Sequence, residues 1–210
     1  MNHTIINETT LAEGYEHLRA ADPIMARLIA EYGPYSWKAE DDYFAVLCGS
    51  IVSQQLSVKA AASIAERVLR ELGGQWKADA LLAAPEEEMR ALGLSRSKVV
   101  YLKDLAAHCA EGRLHLHELP SAANEEVIAR LTMVKGIGRW TAEMFLLFGM
   151  GRMNVFPVGD LGIKKAIQSN YNLPDLPDKK QMLERAAIWA PYESIATLYL
   201  WRSLNNKPSL

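Results

Sequence analysis

Apolar residues recur at intervals of three and four along much of the chain, the spacing that lines one face of an α-helix. The clearest run is Val58, Ala61, Ile64, Ala65, Val68, Leu69 and Leu72. Ser57 stands before it as a cap, and Gly73-Gly74 follows it, where paired glycines withdraw the propensity to continue. Upstream, Asp41-Asp42 precedes Tyr43, Phe44, Val46, Leu47, Ile51 and Val52, with acids at the end where the helix dipole favours them. Pro85 followed by Glu86, Glu87 and Glu88 predicts another start, with proline and acids in the first turn. The pattern predicts further helices over 95–110, 124–133, 139–150 and 194–204. Period-two alternation is confined to Leu114 and Leu116, with Leu119 one slot off phase, among His115, His117 and Glu118, a short run that stops at Pro120. The expected fold class is therefore all-α, with Pro157, Pro174, Pro177 and Pro191 cutting the last third into short elements.

Composition narrows this picture. The 210 residues are 50% hydrophobic and 23% charged, a globular balance that excludes disordered and fibrous classes. With 23 basic and 25 acidic residues the net charge is −2, so no global basic field points to a nucleic-acid partner. Cys48 and Cys109 are too few for a four-cysteine iron–sulfur cluster and have no neighbours at zinc-ligand spacing. His115 and His117 form a His-x-His pair without a third ligand, which reads as a solvated loop or edge. The apolar stretch 144–151 is too short to span a bilayer, so no membrane partner is expected. Residues 1–10 hold no basic segment followed by an apolar one, and a cytoplasmic location is expected, at the nucleoid in a bacterial cell. Met133, Met144, Met150 and Met153 read as core fillers.

One stretch carries chemistry. Residues 131–142 read Leu-Thr-Met-Val-Lys-Gly-Ile-Gly-Arg-Trp-Thr-Ala, two helical patterns around the tight turn Gly136-Ile137-Gly138. Glycines admit positive φ and close backbone approach, and a turn running into a helix start presents free N–H groups to a phosphate oxygen. The carbonyls of Thr132, Val134 and Ile137, on the outside of the turn, can converge on a monovalent cation, Na⁺ or K⁺, beside that phosphate. Residues 130–165 hold Arg130, Lys135, Arg139, Arg152, Lys164 and Lys165 against Glu143 and Asp160, so six minus two gives +4 in a chain that totals −2. Local basic charge beside a backbone anion site suits a phosphodiester. A plain αα-corner with solvated charges is the alternative that the turn alone leaves open. Further on, Asn154-Val-Phe-Pro-Val-Gly-Asp160 leads into Leu161-Gly-Ile-Lys-Lys-Ala-Ile, which places Asp160 at a helix N-terminus, as a cap and as a fixed negative charge.

The succession of Lys-Gly-Ile-Gly-Arg-Trp-Thr-Ala and Val-Phe-Pro-Val-Gly-Asp resembles the helix-hairpin-helix DNA glycosylase superfamily, in its 3-methyladenine DNA glycosylase II branch. Asp22-Pro23 and Gly33 resemble that branch's opening, and Ile51-Val-Ser-Gln-Gln-Leu-Ser-Val58 its DNA-probing segment. Gly93-Leu-Ser-Arg-Ser-Lys98, Trp189-Ala-Pro-Tyr192 and Tyr199-Leu-Trp-Arg202 resemble later blocks.

The resemblance implies two helical lobes with a DNA-binding cleft between them. Residues 1–210 would form a single catalytic unit, with lobes over 38–144, including the hairpin 131–142, and over 1–37 plus 145–210. The opening block by residue 22 leaves no room for the N-terminal α/β domain of larger members, so its absence is expected. Asp160 would face the extruded nucleotide, and Lys135, Gly136, Ile137, Gly138, Arg139 and Thr141 would hold the DNA backbone. Gln54, Gln55 and Leu56 would probe the duplex, with Gln55 as the wedge and Leu56 second. Trp140, Met144 and Tyr192 would line the base pocket, although Trp140 equally fits a core position.

Relatives that cut the strand carry a lysine where this chain has Trp140, so a monofunctional enzyme is expected, without lyase activity. The reaction implied is hydrolysis of the N-glycosidic bond of 3-methyladenine or 7-methylguanine in double-stranded DNA, by a monomer that requires no cofactor. Asn154 stands where many relatives have Asp, and Glu193 where Arg is usual, adding negative charge near the pocket or DNA. A non-enzymatic helix-hairpin-helix DNA-binding module and a glycosylase for another lesion class remain as alternatives.

Overall fold

The computed structural model describes residues 5–204, so residues 1–4 and 205–210 of the expected lobes lie outside it. The chain runs through α1 (Glu8–Ala21), α2 (Pro23–Tyr32), α3 (Tyr43–Ser53) and α4 (Val58–Glu71). Then come α5 (Ala78–Ala83), α6 (Glu86–Ala91) and α7 (Arg96–Ala110), a 3₁₀ turn at Leu116–Ser121, and α8 (Asn124–Leu131). The last elements are α9 (Arg139–Met144), a π turn (Phe145–Gly149), α10 (Leu161–Asn170), α11 (Lys179–Ala187) and α12 (Glu193–Ser203). Among the described residues, an isolated antiparallel bridge between Ile5 and Arg152 is the extent of β-pairing. The fold is all-α.

Local chemistry explains the starts. Asp42, Ser57, Ser95 and Asp178 each accept the N–H three residues on, which satisfies an orphan donor of the helix they precede. Pro85 sits one place earlier than expected, as the cap itself, with Glu86, Glu87 and Glu88 filling the first turn of α6. The Leu114–Leu119 alternation resolves into the 3₁₀ turn, which buries Leu119. The expected helix 139–150 is interrupted: α9 ends at Met144 and widens into the π turn, which buries Phe145, Leu146 and Leu147 together.

The described chain divides into two compact units, residues 40–145 and residues 5–39 with 146–204. In the first, α7 packs against α3, α5 and α6, and α8 packs against α9. Its core takes Leu47, Ile51 and Val52 from α3, Val99, Leu102 and Leu105 from α7, and Val127 and Leu131 from α8. In the second, α12 packs on α1, α2 and α10, and every residue from Ser194 to Trp201 is buried. Asp22 anchors this unit. It caps α2 through Ile24 N–H at 2.8 Å and accepts the Tyr171 hydroxyl at 2.5 Å and the Trp189 indole N–H at 2.9 Å.

Two expectations about individual side chains fail. Met133 is 53% exposed rather than in the core, because it sits on the outer side of the turn after α8, while Met150 and Met153 are buried as core residues. Val58 is also exposed, since α4 only begins to pack at Ala61.

Candidate functional site

In the first unit the hairpin is built from the carbonyls and amides of residues 131–138. Val134 N–H bonds to the Leu131 carbonyl and Ile137 N–H to the Val134 carbonyl, both at 3.1 Å. Gly136 takes φ +81°, and a Cβ there would stand 2.1 Å from the Tyr101 ring, so only glycine fits. Gly138, in extended backbone, opens α9, and no side chain caps the amides that follow. Val134, Ile137 and Thr141 are buried. With their side chains in the core, Ile137 and Thr141 present the hairpin's backbone to its surroundings.

The local excess of basic charge also shrinks in three dimensions. Arg152 is buried. Arg130 is bridged to Glu118 at 3.0 Å and Glu126 at 2.6 Å. Arg139 forms ion pairs with Glu125 and with Glu143, the latter at 3.0 Å, and these carboxylates raise its pKa further. Lys135 Nζ lies 3.4 Å from Asp104, which also accepts the Lys135 N–H at 2.9 Å. That bond and the charges of Lys135 and His108 hold the Asp104 pKa low against the opposing effect of burial. Lys164 and Lys165 belong to the second unit. The charge count along the chain missed acids that arrive from elsewhere in the sequence.

The probing segment is a tight turn between α3 and α4. Gln55 adopts φ +58°, uncommon for a residue with a Cβ and a mark of local strain. Gln55 and Leu56 are exposed. The Gln54 amide donates to the Gly136 carbonyl at 2.9 Å, which ties this turn to the hairpin.

In the second unit Asp160 is the N-cap of α10. Its Oδ1 accepts Ile163 N–H at 2.8 Å and the Trp201 indole N–H at 3.1 Å. Trp201 is buried and stacks on Phe148 with ring centroids 6.1 Å apart, and Phe148 meets Trp37 edge-on at 6.3 Å. Gly162 leaves the space this contact needs, since a Cβ would lie 3.0 Å from Asp160 Oδ1. Sequence reasoning missed Trp201 in this role. Its only signal was membership of the block Tyr199-Leu-Trp-Arg202.

The base-pocket candidates separate. Trp140 is 51% exposed, which removes the core reading. Met144, the last residue of α9, is half-buried. Tyr192 is committed to α1: its hydroxyl donates to Glu13 at 3.3 Å and its ring packs on His17 at 5.4 Å. Glu193 does not act as a surface charge. Its Oε2 is buried without a hydrogen-bond partner, and burial pushes its carboxyl pKa up against the opposing charge of His17. Cys48 is buried, which raises its thiol pKa, and among the described residues no group of three metal-ligating side chains is present. Among them, too, no helix is long and apolar enough to cross a membrane.

The glycine turn that joins α8 to α9 is a helix-hairpin-helix motif. The model of the HhH-GPD superfamily of base excision DNA repair proteins matches residues 48–191, and the chain belongs to that family. It is 38% identical over 161 residues to the Bacillus subtilis protein YfjP, provisionally a DNA-3-methyladenine glycosylase, covering 73% of this chain and 56% of that one. This chain thus spans little more than half of that relative's length. It is 34% identical over 201 residues to DNA-3-methyladenine glycosylase 1 of Schizosaccharomyces pombe, covering 93% of this chain and 88% of that one. Among solved structures, the 3-methyladenine DNA glycosylase of Schizosaccharomyces pombe in complex with abasic DNA superposes with a TM-score of 0.79 at 35% identity, covering 90% of this chain and 95% of that chain.

Proposed function

We propose that the protein is a monofunctional DNA glycosylase that hydrolyses the N-glycosidic bond of alkylated purines, of the 3-methyladenine and 7-methylguanine type, in double-stranded DNA. The observation that carries this reading is Asp160, a carboxylate held through Oδ1 by a helix N–H and an indole N–H. The similarity to DNA-3-methyladenine glycosylases, one of them bound to abasic DNA, supports the substrate class.

The target base must leave the stack, at a cost of a few kcal/mol. Gln55 and Leu56, exposed on their turn, fill the gap, while the amides of the Gly136–Gly138 hairpin hold the backbone. As the C1′–N bond lengthens, its electron pair goes to the base and the sugar gains oxocarbenium character, which Asp160 stabilises electrostatically. Water then adds at C1′, and its proton passes to Asp160 or to solvent. A cationic alkylated purine departs neutral, so a general acid is unnecessary, in contrast to O-glycoside hydrolysis. Trp140, where lyases carry lysine, offers no amine for a Schiff base; its exposed face suits stacking with a cationic base.

Because the step is a hydrolysis, it needs no redox group or cofactor. The carbonyls of Thr132, Val134 and Ile137 form a neutral oxygen set suited to structural Na⁺ or K⁺. The Val134 carbonyl already accepts one N–H, but its second lone pair leaves it able to ligate a cation. The enzyme works as a monomer in the cytoplasm in this reading.

The test is excision from duplexes carrying 3-methyladenine, 7-methylguanine, hypoxanthine or 8-oxoguanine. Wild type releases free alkylated base without cutting the strand, and Asp160→Asn loses about 10²–10³ in rate while still binding DNA. Release of no base from any lesion refutes the enzyme, and a borohydride-trapped adduct refutes the absence of lyase chemistry.

A further inference from the structure

The block Gly93-Leu94-Ser95-Arg96-Ser97-Lys98 resembles the family, yet it has no part in the chemistry above, nor does α7, the helix it opens. α7 carries Lys98, Tyr101, Asp104 and His108 at spacings of three, three and four, which place them along one face. Three of these side chains act directly on the two segments assigned to DNA.

Lys98 Nζ donates to the Val52 carbonyl at 2.8 Å, in the last turn of α3, immediately before Gln54-Gln55-Leu56. That carbonyl is among those a helix C-terminus leaves without an internal partner, and the ammonium also meets the negative end of the helix dipole. Burial of the ammonium at this position lowers its pKa. Tyr101 lies against Gly136, closer than any residue with a Cβ would permit. Asp104 accepts the Lys135 N–H at 2.9 Å, and His108, with Nδ1 at 2.8 Å from the Asp104 carbonyl and Nε2 at 2.5 Å from Arg113, packs behind it. Gln54 closes the circuit, since its Nε2 donates to the Gly136 carbonyl at 2.9 Å.

We infer that Gln54 and the Lys98–Tyr101–Asp104 face of α7 lock the probing turn 54–56 to the hairpin 132–138, so that gap filling and backbone grip engage as one body. The assignment of what those segments touch rests on the glycosylase reading; the mechanical coupling within this unit does not. A wedge must resist the collapse of the opened stack, and this one pivots on Gln55 in left-handed backbone. It holds only if its upstream end is fixed, and Lys98 and Gln54 supply that fixation. Both are positioning residues: Gln54 acts through the hairpin and Lys98 through α3.

The test uses full-length Gln54→Ala and Lys98→Met, with Lys98→Arg as the conservative control. Single-turnover excision of 7-methylguanine is compared between a fully paired duplex and one in which the lesion faces an abasic site and has no partner to lose. Each variant is expected to lose on the order of tenfold on the paired duplex and under about twofold on the unpaired one, with Lys98→Arg restoring most of the loss. Equal losses on both substrates, or none on either, overturn the inference. Amide hydrogen exchange of the free protein gives an independent readout. Faster exchange over 134–138 in Gln54→Ala and over 53–57 in Lys98→Met, with Leu102 and Leu105 of α7 unchanged, supports the lock; unchanged exchange in both loops overturns it. Wild type that releases no base from any duplex removes the glycosylase reading, and exchange alone then decides the coupling.

Discussion

In the proposed mechanism a carboxylate facing a developing cation must be held still, and Asp160 is held by donors that differ in how visible they are from sequence. The Ile163 N–H is local, so an acid before Leu161-Gly-Ile-Lys announced the cap. The Trp201 indole comes from 41 residues away, a distance at which no pattern pairs an indole with a carboxylate. Trp201→Phe keeps an aromatic ring against Phe148 and removes the N–H, at the cost of some packing volume. Single-turnover excision should fall about threefold to tenfold with affinity for abasic DNA unchanged, and an unaltered rate would leave the indole without influence on the carboxylate. Glu193 is the opposite case, an acid expected to add negative charge near the pocket or DNA, whose Oε2 is buried without a partner. Burial raises its folded pKa above the ordinary 4.5. The folded state therefore binds the proton more tightly than the unfolded chain, so the stability linked to Glu193 is present below the ordinary value and is lost as pH rises through the folded one. Glu193→Gln should raise Tm at pH 7 by about 2–4 °C, and the advantage should vanish as the pH falls toward 4. A pH-independent difference would contradict the burial argument.

At the level of elements, the hairpin was legible because its signature is contiguous: two glycines, two flanking apolar periods and a helix start lie within residues 131–142. Its electrostatics were not, because the acids that offset Arg130, Lys135 and Arg139 come from α7, the 3₁₀ turn and α8. The π turn after α9 was hidden for a related reason. A single widened turn shifts the helical phase without changing composition, and the tertiary burial of Phe145, Leu146 and Leu147 selects it. The charge pairing has a measurable consequence. With Glu125 on one side and Glu143 on the other, Arg139 offers DNA less than a full positive charge. Glu125→Gln leaves the guanidinium paired with Glu143 alone and should tighten binding to undamaged duplex several-fold at low salt, steepening the slope of log K against log salt by up to about 0.9. The gain should be alike for all sequences, since phosphate contacts carry no sequence information. A gain restricted to particular sequences would assign Arg139 to a base edge.

At the level of the whole molecule, the chain enters one unit, leaves it for the other, and returns. Residues 40–145 are contiguous, with their own core of Leu47, Ile51, Leu102, Leu105 and Leu131, whereas the second unit joins residues 5–39 to 146–204 through Asp22, Tyr171 and Trp189. Sequence patterning gave the helices of the first unit more readily than α1, α2 and α11, whose apolar faces are completed only by that long-range closure. The same division separates the roles in the proposed enzyme, because the hairpin and probing turn lie in the contiguous unit and Asp160 in the discontinuous one. A fragment of residues 40–145 should therefore fold alone, with a helical circular dichroism spectrum and a cooperative urea transition. It should bind duplex DNA with a salt dependence close to that of the full chain, since the backbone-holding amides and the locked turn are all present. It should release no base, because no carboxylate is positioned at the sugar. Excision by the fragment would place the chemistry in the first unit and remove Asp160 from it. A fragment that folds but does not bind would mean that the phosphate grip depends on cationic groups of the other unit, for which Lys164 and Lys165 on α10 are the first to substitute.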